Sequence, residues 1–209
     1  INDFGSTCDS LLHSDALNAL GSLELKLDRL DRARRAYDAA LRLREAQNDT
    51  KRIASSLNNL AVIDGMTGDF KQAANRFRDV FERADANGEP WIAAAALVNL
   101  GHALTEDGNA DDALKAYQRG AGRMKAIGDQ HGRLGALLGV IHTAATRHDS
   151  AIATSAAVEW ASLMKPPSTV RDATRFELPT QVTCEKLRTF GYPNLATKLE
   201  HALADQLAS

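Results

Sequence analysis

His102 and His142 stand forty residues apart in stretches that otherwise resemble each other, which places them at equivalent points of neighbouring structural units. If those units are helices with axes about 8 to 10 Å apart, the two imidazoles are close enough to share a metal ion. No carboxylate or cysteine obviously completes the shell that zinc would need, so neither a metal nor any other cofactor is expected. Asn59 and Asn99 form a second such pair, with Asn58 beside them. A side-chain amide offers two donors and an acceptor, which suits either the backbone of an extended peptide or a bond to the adjacent helix. The catalytic signals are negative. No Gly is followed by Lys, which excludes the Gly-x-x-x-x-Gly-Lys phosphate loop, and neither His-Glu-x-x-His, Gly-x-Gly-x-x-Gly nor Gly-x-Ser-x-Gly occurs. Cys8 and Cys184 have no local signature of a nucleophile and read as reduced structural thiols. The sequence therefore argues for binding and against an enzyme.

The element that must position these residues is a repeat. Leu20, Leu60, Leu100 and Val140 align, as do Ala33, Ala73, Ala113 and Ala153. Four residues further on come Tyr37, Phe77, Tyr117 and, as the exception, Ala157. Within a unit the apolar residues follow helical spacing: Phe70, Ala73, Ala74, Phe77, Val80, Phe81 and Ala84 share one face. Thr67-Gly68-Asp69 supplies a tight turn between antiparallel helices, and Gly108 repeats Gly68. A fixed period of this length is the mark of a helical array. The expected fold is all-α: a right-handed superhelical stack of antiparallel helix pairs, with four repeats over residues 10–164.

Residues 1–9 carry turn formers and read as a leading loop, with a first helix over 10–27. Gly120 and Gly122 weaken their helix by roughly 1 kcal/mol each relative to Ala, and the expected reason for them is the close approach of a neighbour. Gly132, Gly135 and Gly139 line one side of a later helix, and Trp160 stands where earlier units have Ala40, Val80 and Gly120. Pro166-Pro167 breaks the periodicity, and a loop to Pro179 precedes two further helices, over 180–190 and 194–207, that cap the stack. Arg29, Arg32, Arg34, Arg35, Arg42 and Arg44 form a basic run. Asp28 with Arg32, Asp31 with Arg35 and Asp38 with Arg42 stand at i, i+4, which predicts a solvated, self-paired helix face.

The chain has 209 residues, 44% of them apolar and only 5% aromatic, which favours close-packed helices over a bulky sheet core. A formal net charge of -2 supplies no field toward nucleic acid or an anionic membrane. The longest apolar run, Trp91 to Val98, is too short to span a bilayer. Two distant cysteines favour reduced thiols and a cytoplasmic setting. Because residue 1 is Ile, the expectation is a segment of a longer protein.

Gly21, Ala33 and Tyr37, with Leu100-Gly101, Ala113 and Tyr117, resemble the Leu-Gly, Ala-x-x-x-Phe signature of tetratricopeptide repeats. The usual unit has about 34 residues, so the additional residues here should extend the second helix and the loop after it. HEAT repeats have a nearer period but lack the Gly turn and the small-then-aromatic pattern. More narrowly, Asn48-Asp49, Ile53-Ala54 and Leu57-Asn-Asn-Leu-Ala61, echoed by Gly128-Asp129, Gly132 and Leu137, resemble the long-repeat arrays of STAND-type bacterial regulators, the MalT-like and AfsR-like signal-transduction ATPases. That resemblance implies a sensor or regulatory arm that binds a protein, a peptide or a small effector, with no direct contact to nucleic acid or membrane. The tetratricopeptide groove register selects Asn59 and Asn99 in one row, Ser22, Val62, His102 and His142 in the next, then Lys26, Met66, Glu106 and Thr146, with Asn58 adjoining. The alternative is a scaffold that self-associates through its convex side or ends, with Trp160 and the last helices as contacts, or a free-standing adaptor.

Overall fold

A computed structural model describes residues 3–164 and 173–208. Among the described residues there are ten α-helices, one 3-10 turn and no strand. The helices are α1 (Asp3–Lys26), α2 (Leu30–Ala46), α3 (Thr50–Met66), α4 (Phe70–Ala86), α5 (Pro90–Glu106), α6 (Ala110–Ala126), α7 (Gln130–Thr146), α8 (Ser150–Leu163), α9 (Glu177–Thr189) and α10 (Pro193–Leu207), with the 3-10 turn at Ala173–Phe176. They group into two compact units, residues 1–96 and 97–209. In the first, α2 packs on α1 and α3, and α3 on α4; in the second, α7 packs on α6 and α8, and α9 on α7 and α10.

The backbone repeats at half the sequence period. Asp28, Asn48, Gly68, Gly88, Gly108, Gly128 and His148 all have positive φ, between 53° and 81°, and they fall every twenty residues. The physical reason is a helix ending that doubles as a helix beginning. At Thr67-Gly68-Asp69 the left-handed Gly68 donates its N–H to Gly65 O (3.1 Å), and Asp69 donates back to Asp64 O (2.8 Å), the two bonds of a Schellman closure. Asp69 then caps α4 by accepting from the N–H of Gln72. Asp49, Asn109, Asp129 and Asp149 cap their helices in the same way. From α2 to α7 every helix has 17 residues and every link has three. The additional length over a 34-residue unit is thus shared by both helices, and is not confined to the second helix and its loop as the resemblance suggested.

The ends differ from the sequence expectation. Residues 3–9 continue α1 and form no loop. Pro179 lies inside the first turn of α9, where a proline costs no hydrogen bond, so that helix starts at Glu177 instead of 180. The Pro166-Pro167 break falls outside the described residues.

Packing inside the units follows a small-against-large rule. A Cβ on Gly21 would meet Tyr37 Cε1 at 2.7 Å, and one on Gly101 would meet Tyr117 Cδ1 at 2.7 Å, so both tyrosine rings lie flat on bare helix backbone. The second and fourth copies of this pair are Ala61 with Phe77 and Ile141 with Ala157, all buried: as the ring shrinks, its partner grows. Gly132 and Gly139 are likewise covered, by Met124 and Tyr117, but a Cβ on Gly122 would meet nothing. No neighbour closes on that glycine, which instead borders an open recess of about 360 Å³. Trp160 is fully buried and stands edge-on to Phe176 (ring centroids 6.5 Å apart) inside the second unit, which removes it as a surface contact for self-association.

The basic run is also used differently. Arg34 pairs with the buried Asp64 of α3 at 2.6 Å, and Arg76 approaches the other oxygen of that carboxylate at 2.8 Å. Arg44 is only 3% exposed; it donates to Ser56 Oγ (2.7 Å), Arg52 O (3.1 Å), Asn18 Oδ1 (3.3 Å) and Asp15 Oδ1 (2.9 Å). Arg32 reaches Glu24 in place of Asp28. Tertiary contacts between helices therefore organise much of this run, and the simple i, i+4 pairing does not describe it.

Candidate binding site

The second unit contains a cavity of about 440 Å³ between the end of α5, the middle of α7 and the segment from the 3-10 turn through α9. Its apolar wall is Leu138, Phe176, Leu178, Pro179 and Val182, and bare backbone at Gly135 widens it. His102, Thr105, Glu106, Tyr117, His142, Thr143 and Arg175 supply polar atoms. A second cavity of about 400 Å³ shares Thr105, Glu106, His142 and Thr143 and continues to Lys186, Thr189 and Phe190.

Two histidines meet here in different states of engagement. His102 Nδ1 shares a 2.8 Å hydrogen bond with Tyr117 Oη, and the rings stand edge to face at 87°. Burial holds the His102 pKa below its usual value against the opposing charge of Glu106, and burial raises the Tyr117 phenol. His142 aligns with His102, but the residue matching Tyr117 in its own pair is Ala157, so no phenol is available to it. It turns instead to Lys186, whose Nζ lies 3.1 Å from His142 Nε2. An ammonium only donates, so Nε2 accepts and the imidazole is neutral. Burial, then the Lys186 charge, then His102 lower the His142 pKa to about 4.

Beside them Thr143 Oγ1 is buried without a hydrogen-bond partner from the protein, on a residue 2% exposed. Two other hydroxyls that line the cavity are satisfied, Thr105 donating to Gly101 O (2.8 Å) and Thr183 to Pro179 O (2.8 Å), whereas Thr180 Oγ1, buried in α9, also lacks a partner. A buried hydroxyl left unmatched costs about 1–3 kcal/mol. The arrangement can therefore hold an apolar group against Leu138 and Phe176 while Thr143 and the histidines bond its polar atoms.

Of the residues selected from the sequence, the cavity gathers His102, Glu106 and His142, with Thr146 on the adjoining one; Asn99 is half-buried in α5 and does not line either. The others lie in the first unit. Asn59 donates its amide to Asn18 Oδ1 (3.1 Å), the helix-to-helix bond that the sequence left open as one of its two roles. Ser22 Oγ is 3.1 Å from Tyr37 Oη, the counterpart of the His102–Tyr117 bond. Asn58 and Val62 are half-buried, and Lys26 and Met66 are exposed. Thr143 itself was missed, although a signal was present: its row otherwise reads Leu23, Ile63 and Ala103. Phe176, Leu178 and Val182 had no signal, since the α9 segment falls outside the forty-residue period.

Among the described residues no three His, Cys, Asp or Glu side chains cluster as a metal site, and no helix is long and apolar enough to cross a membrane. Cys184 is fully buried, donates to Ala196 O at 3.4 Å, and has its thiol pushed up to about 11 by burial and by Glu200, against Arg188. Such a thiol is a poor nucleophile.

Comparison with known proteins agrees with this architecture. Residues 12–86 match the tetratricopeptide repeat family. No curated protein matches the chain in sequence. Among solved structures, BtubC (BKLC) from P. vanneervenii superposes with a TM-score of 0.75 at 13% identity, covering 98% of this chain and 89% of that one. A Rap protein complexed with competence and sporulation factor gives 0.66 at 12% identity, over 95% and 64%. Aspartyl phosphate phosphatase F from Bacillus subtilis gives 0.70 at 8%, over 96% and 61%. The chain thus spans less than two thirds of the length of those last two proteins. Its all-helical fold is that of a tetratricopeptide-like solenoid, and residues 12–86 carry recognisable tetratricopeptide repeats.

Proposed function

We propose that the chain is a non-catalytic module that captures a protein or peptide segment in the α5–α7–α9 cavity. Residues 10–164 act as the repeat array, and within the 165–209 region the 3-10 turn and α9 contribute the cavity's outer wall. The observation that carries this reading is the unpartnered Thr143 hydroxyl in a cavity that sets an apolar wall against a few polar side chains. An extended peptide supplies what is missing, a backbone N–H or C=O for Thr143 and an apolar side chain for Leu138, Phe176 and Val182. A Rap protein of the same fold holding a competence and sporulation factor supports occupancy of such an array by a partner. The wider role we assign is that of the sensor or regulatory arm of a larger, cytoplasmic bacterial regulator of the STAND type, on the strength of the Asn48-Asp49 and Leu57-Asn-Asn-Leu-Ala61 resemblance. For such an arm to signal, its ligand must favour one conformation over another.

Selection of short peptides from a random phage-displayed library tests the site. Thr143→Val keeps the shape and removes the hydroxyl, so it should leave the melting temperature unchanged or slightly higher while weakening the selected peptide about tenfold, as expected for one lost buried hydrogen bond. Peptides that bind Thr143→Val and wild type equally would place the site elsewhere.

A further inference from the structure

Lys186 has no counterpart in the repeats, because it belongs to α9, which packs on α7 outside the forty-residue period. Its Nζ is held 3.1 Å from His142 Nε2, and it lines the cavity of about 400 Å³ together with Thr146, Thr189 and the unmatched Thr143. Among the described residues no carboxylate pairs with this ammonium. Glu106, on the α5 wall of the same cavity, stands beyond ion-pair distance of it, so it weakens but does not cancel the pull of the ammonium on a carboxylate that touches it. An ammonium bonded to one ring nitrogen has two donors left, and the bond fixes a long side chain before any ligand arrives. Lys186 is in this sense a preorganised anion contact. Val182, in the apolar wall of the adjoining cavity, lies one turn before it, a rise of about 6 Å. In an extended peptide, which rises about 3.3 Å per residue, that spacing joins an apolar side chain to a carboxylate within two residues of it.

We propose that a carboxylate of the captured peptide enters between Lys186 and His142, and that His142 takes up a proton as it does so. The inference rests on the peptide-capture reading of the same cavity. In the free chain Nε2 accepts from Lys186, so the hydrogen of the neutral ring is on Nδ1. A carboxylate only accepts; once it takes the ammonium, Nε2 must carry a hydrogen of its own, and a proton from solvent supplies it. The carboxylate then lies between two cations, with charge-assisted hydrogen bonds on both sides. The titratable and charged groups around His142 are His102 and Glu106 on α5, Tyr117 on α6, Arg175 in the 3-10 turn and Lys186 on α9; α8 brings none to either cavity. Burial, then Lys186, then His102 hold the free His142 at about 4, and an added negative charge opposes the last two and raises it. The bound state thus holds more protons, and binding tightens as pH falls.

Three synthetic probes test this on the full chain: acetyl-leucyl-leucine with a terminal carboxylate, its C-terminal amide with none, and acetyl-leucyl-aspartic acid α-amide with a side-chain carboxylate. Each is titrated between about pH 8 and 5.5, with the His142 ring resonances followed by NMR. At least one acid should bind about tenfold tighter at the lower pH and move those resonances to the imidazolium position, while the amide shows no trend; the acid that does so identifies the source of the carboxylate. Lys186→Met should remove the advantage of the acid over the amide, Lys186→Arg should keep it, and His142→Gln should remove its pH dependence, with melting curves showing that all three fold. An acid preference that survives Lys186→Met, or acid binding without the imidazolium signature, would overturn the proposal. Acid and amide binding alike, both weakened by Thr143→Val, would overturn it and leave peptide capture standing. Binding of none of the probes up to about 20 mM would remove both.

Discussion

Arg44 and Met124 stand eighty residues apart at equivalent places, the last turn of α2 in the first unit and of α6 in the second, and each is 3% exposed. Around Arg44 the chain has built a polar network: Ser56, Asn18, Asp15 and the Arg52 carbonyl all accept from its terminal nitrogens, and Asn59 joins through Asn18, while Nε is left without a partner. Around Met124 the same backbone is apolar, with the thioether laid on Gly132. The difference shows what makes a binding site in such an array. Where the interhelical row is polar, most of its donors and acceptors satisfy one another and little remains for a ligand. In the second unit the Thr143 hydroxyl has no such network to join, stays unmatched and stands to gain from an incoming partner.

The largest effect should come from breaking the polar network. Arg44→Ala leaves a hole and strands Ser56, at a cost of about 3–4 kcal/mol. Arg44→Met imports the second unit's solution and should cost about 1 kcal/mol or less, because an apolar residue of similar volume can replace a buried charge. Urea unfolding of both variants measures the gap; equal losses would show that the network is more than a local alternative to methionine. A smaller effect is expected at the ring cradle. Gly101→Ile drives a side chain into Tyr117 and should cost about 2 kcal/mol. Adding Tyr117→Ala reproduces the Ile141–Ala157 arrangement, so the double variant should be more stable than the sum of the two single losses predicts.

Much of this was legible in the residues. Leu60, Ala73 and Phe77, spaced and repeated as they are, determine a buried helix pair, and burial of all three follows. The half-period was hidden because the left-handed link position is Gly at 68, 88, 108 and 128 but Asp28, Asn48 and His148 elsewhere. Residue identity there varies while the backbone does not. Arg44 could not be placed from sequence, since a long side chain at the end of a helix reads equally as solvated or as inserted. The site was half legible. His102 and His142 followed from register, whereas the α9 wall depends on where a chain without the repeat returns, and short-range pattern carries no information about that.

The smallest predicted effect concerns protonation in the second unit, where His142 faces Lys186, with His102, Glu106 and Arg175 around the same cavity. Its folded pKa of about 4 lies below the ordinary histidine value near 6.5. The unfolded chain therefore binds this proton more readily. Stability from keeping His142 neutral is complete above about pH 6.5, declines as pH falls toward 4, and falls no further once both states are protonated. Because Lys186 is exposed, solvent screening should hold the loss between pH 7 and 5 to about 1 kcal/mol. His142→Gln does not titrate and can still accept from Lys186, so thermal denaturation across that interval should be flatter in the variant. The first unit has no counterpart, since Ser22 and Val62 occupy the matching positions. A slope that survives His142→Gln would move the titrating group to His102 and its bond with Tyr117.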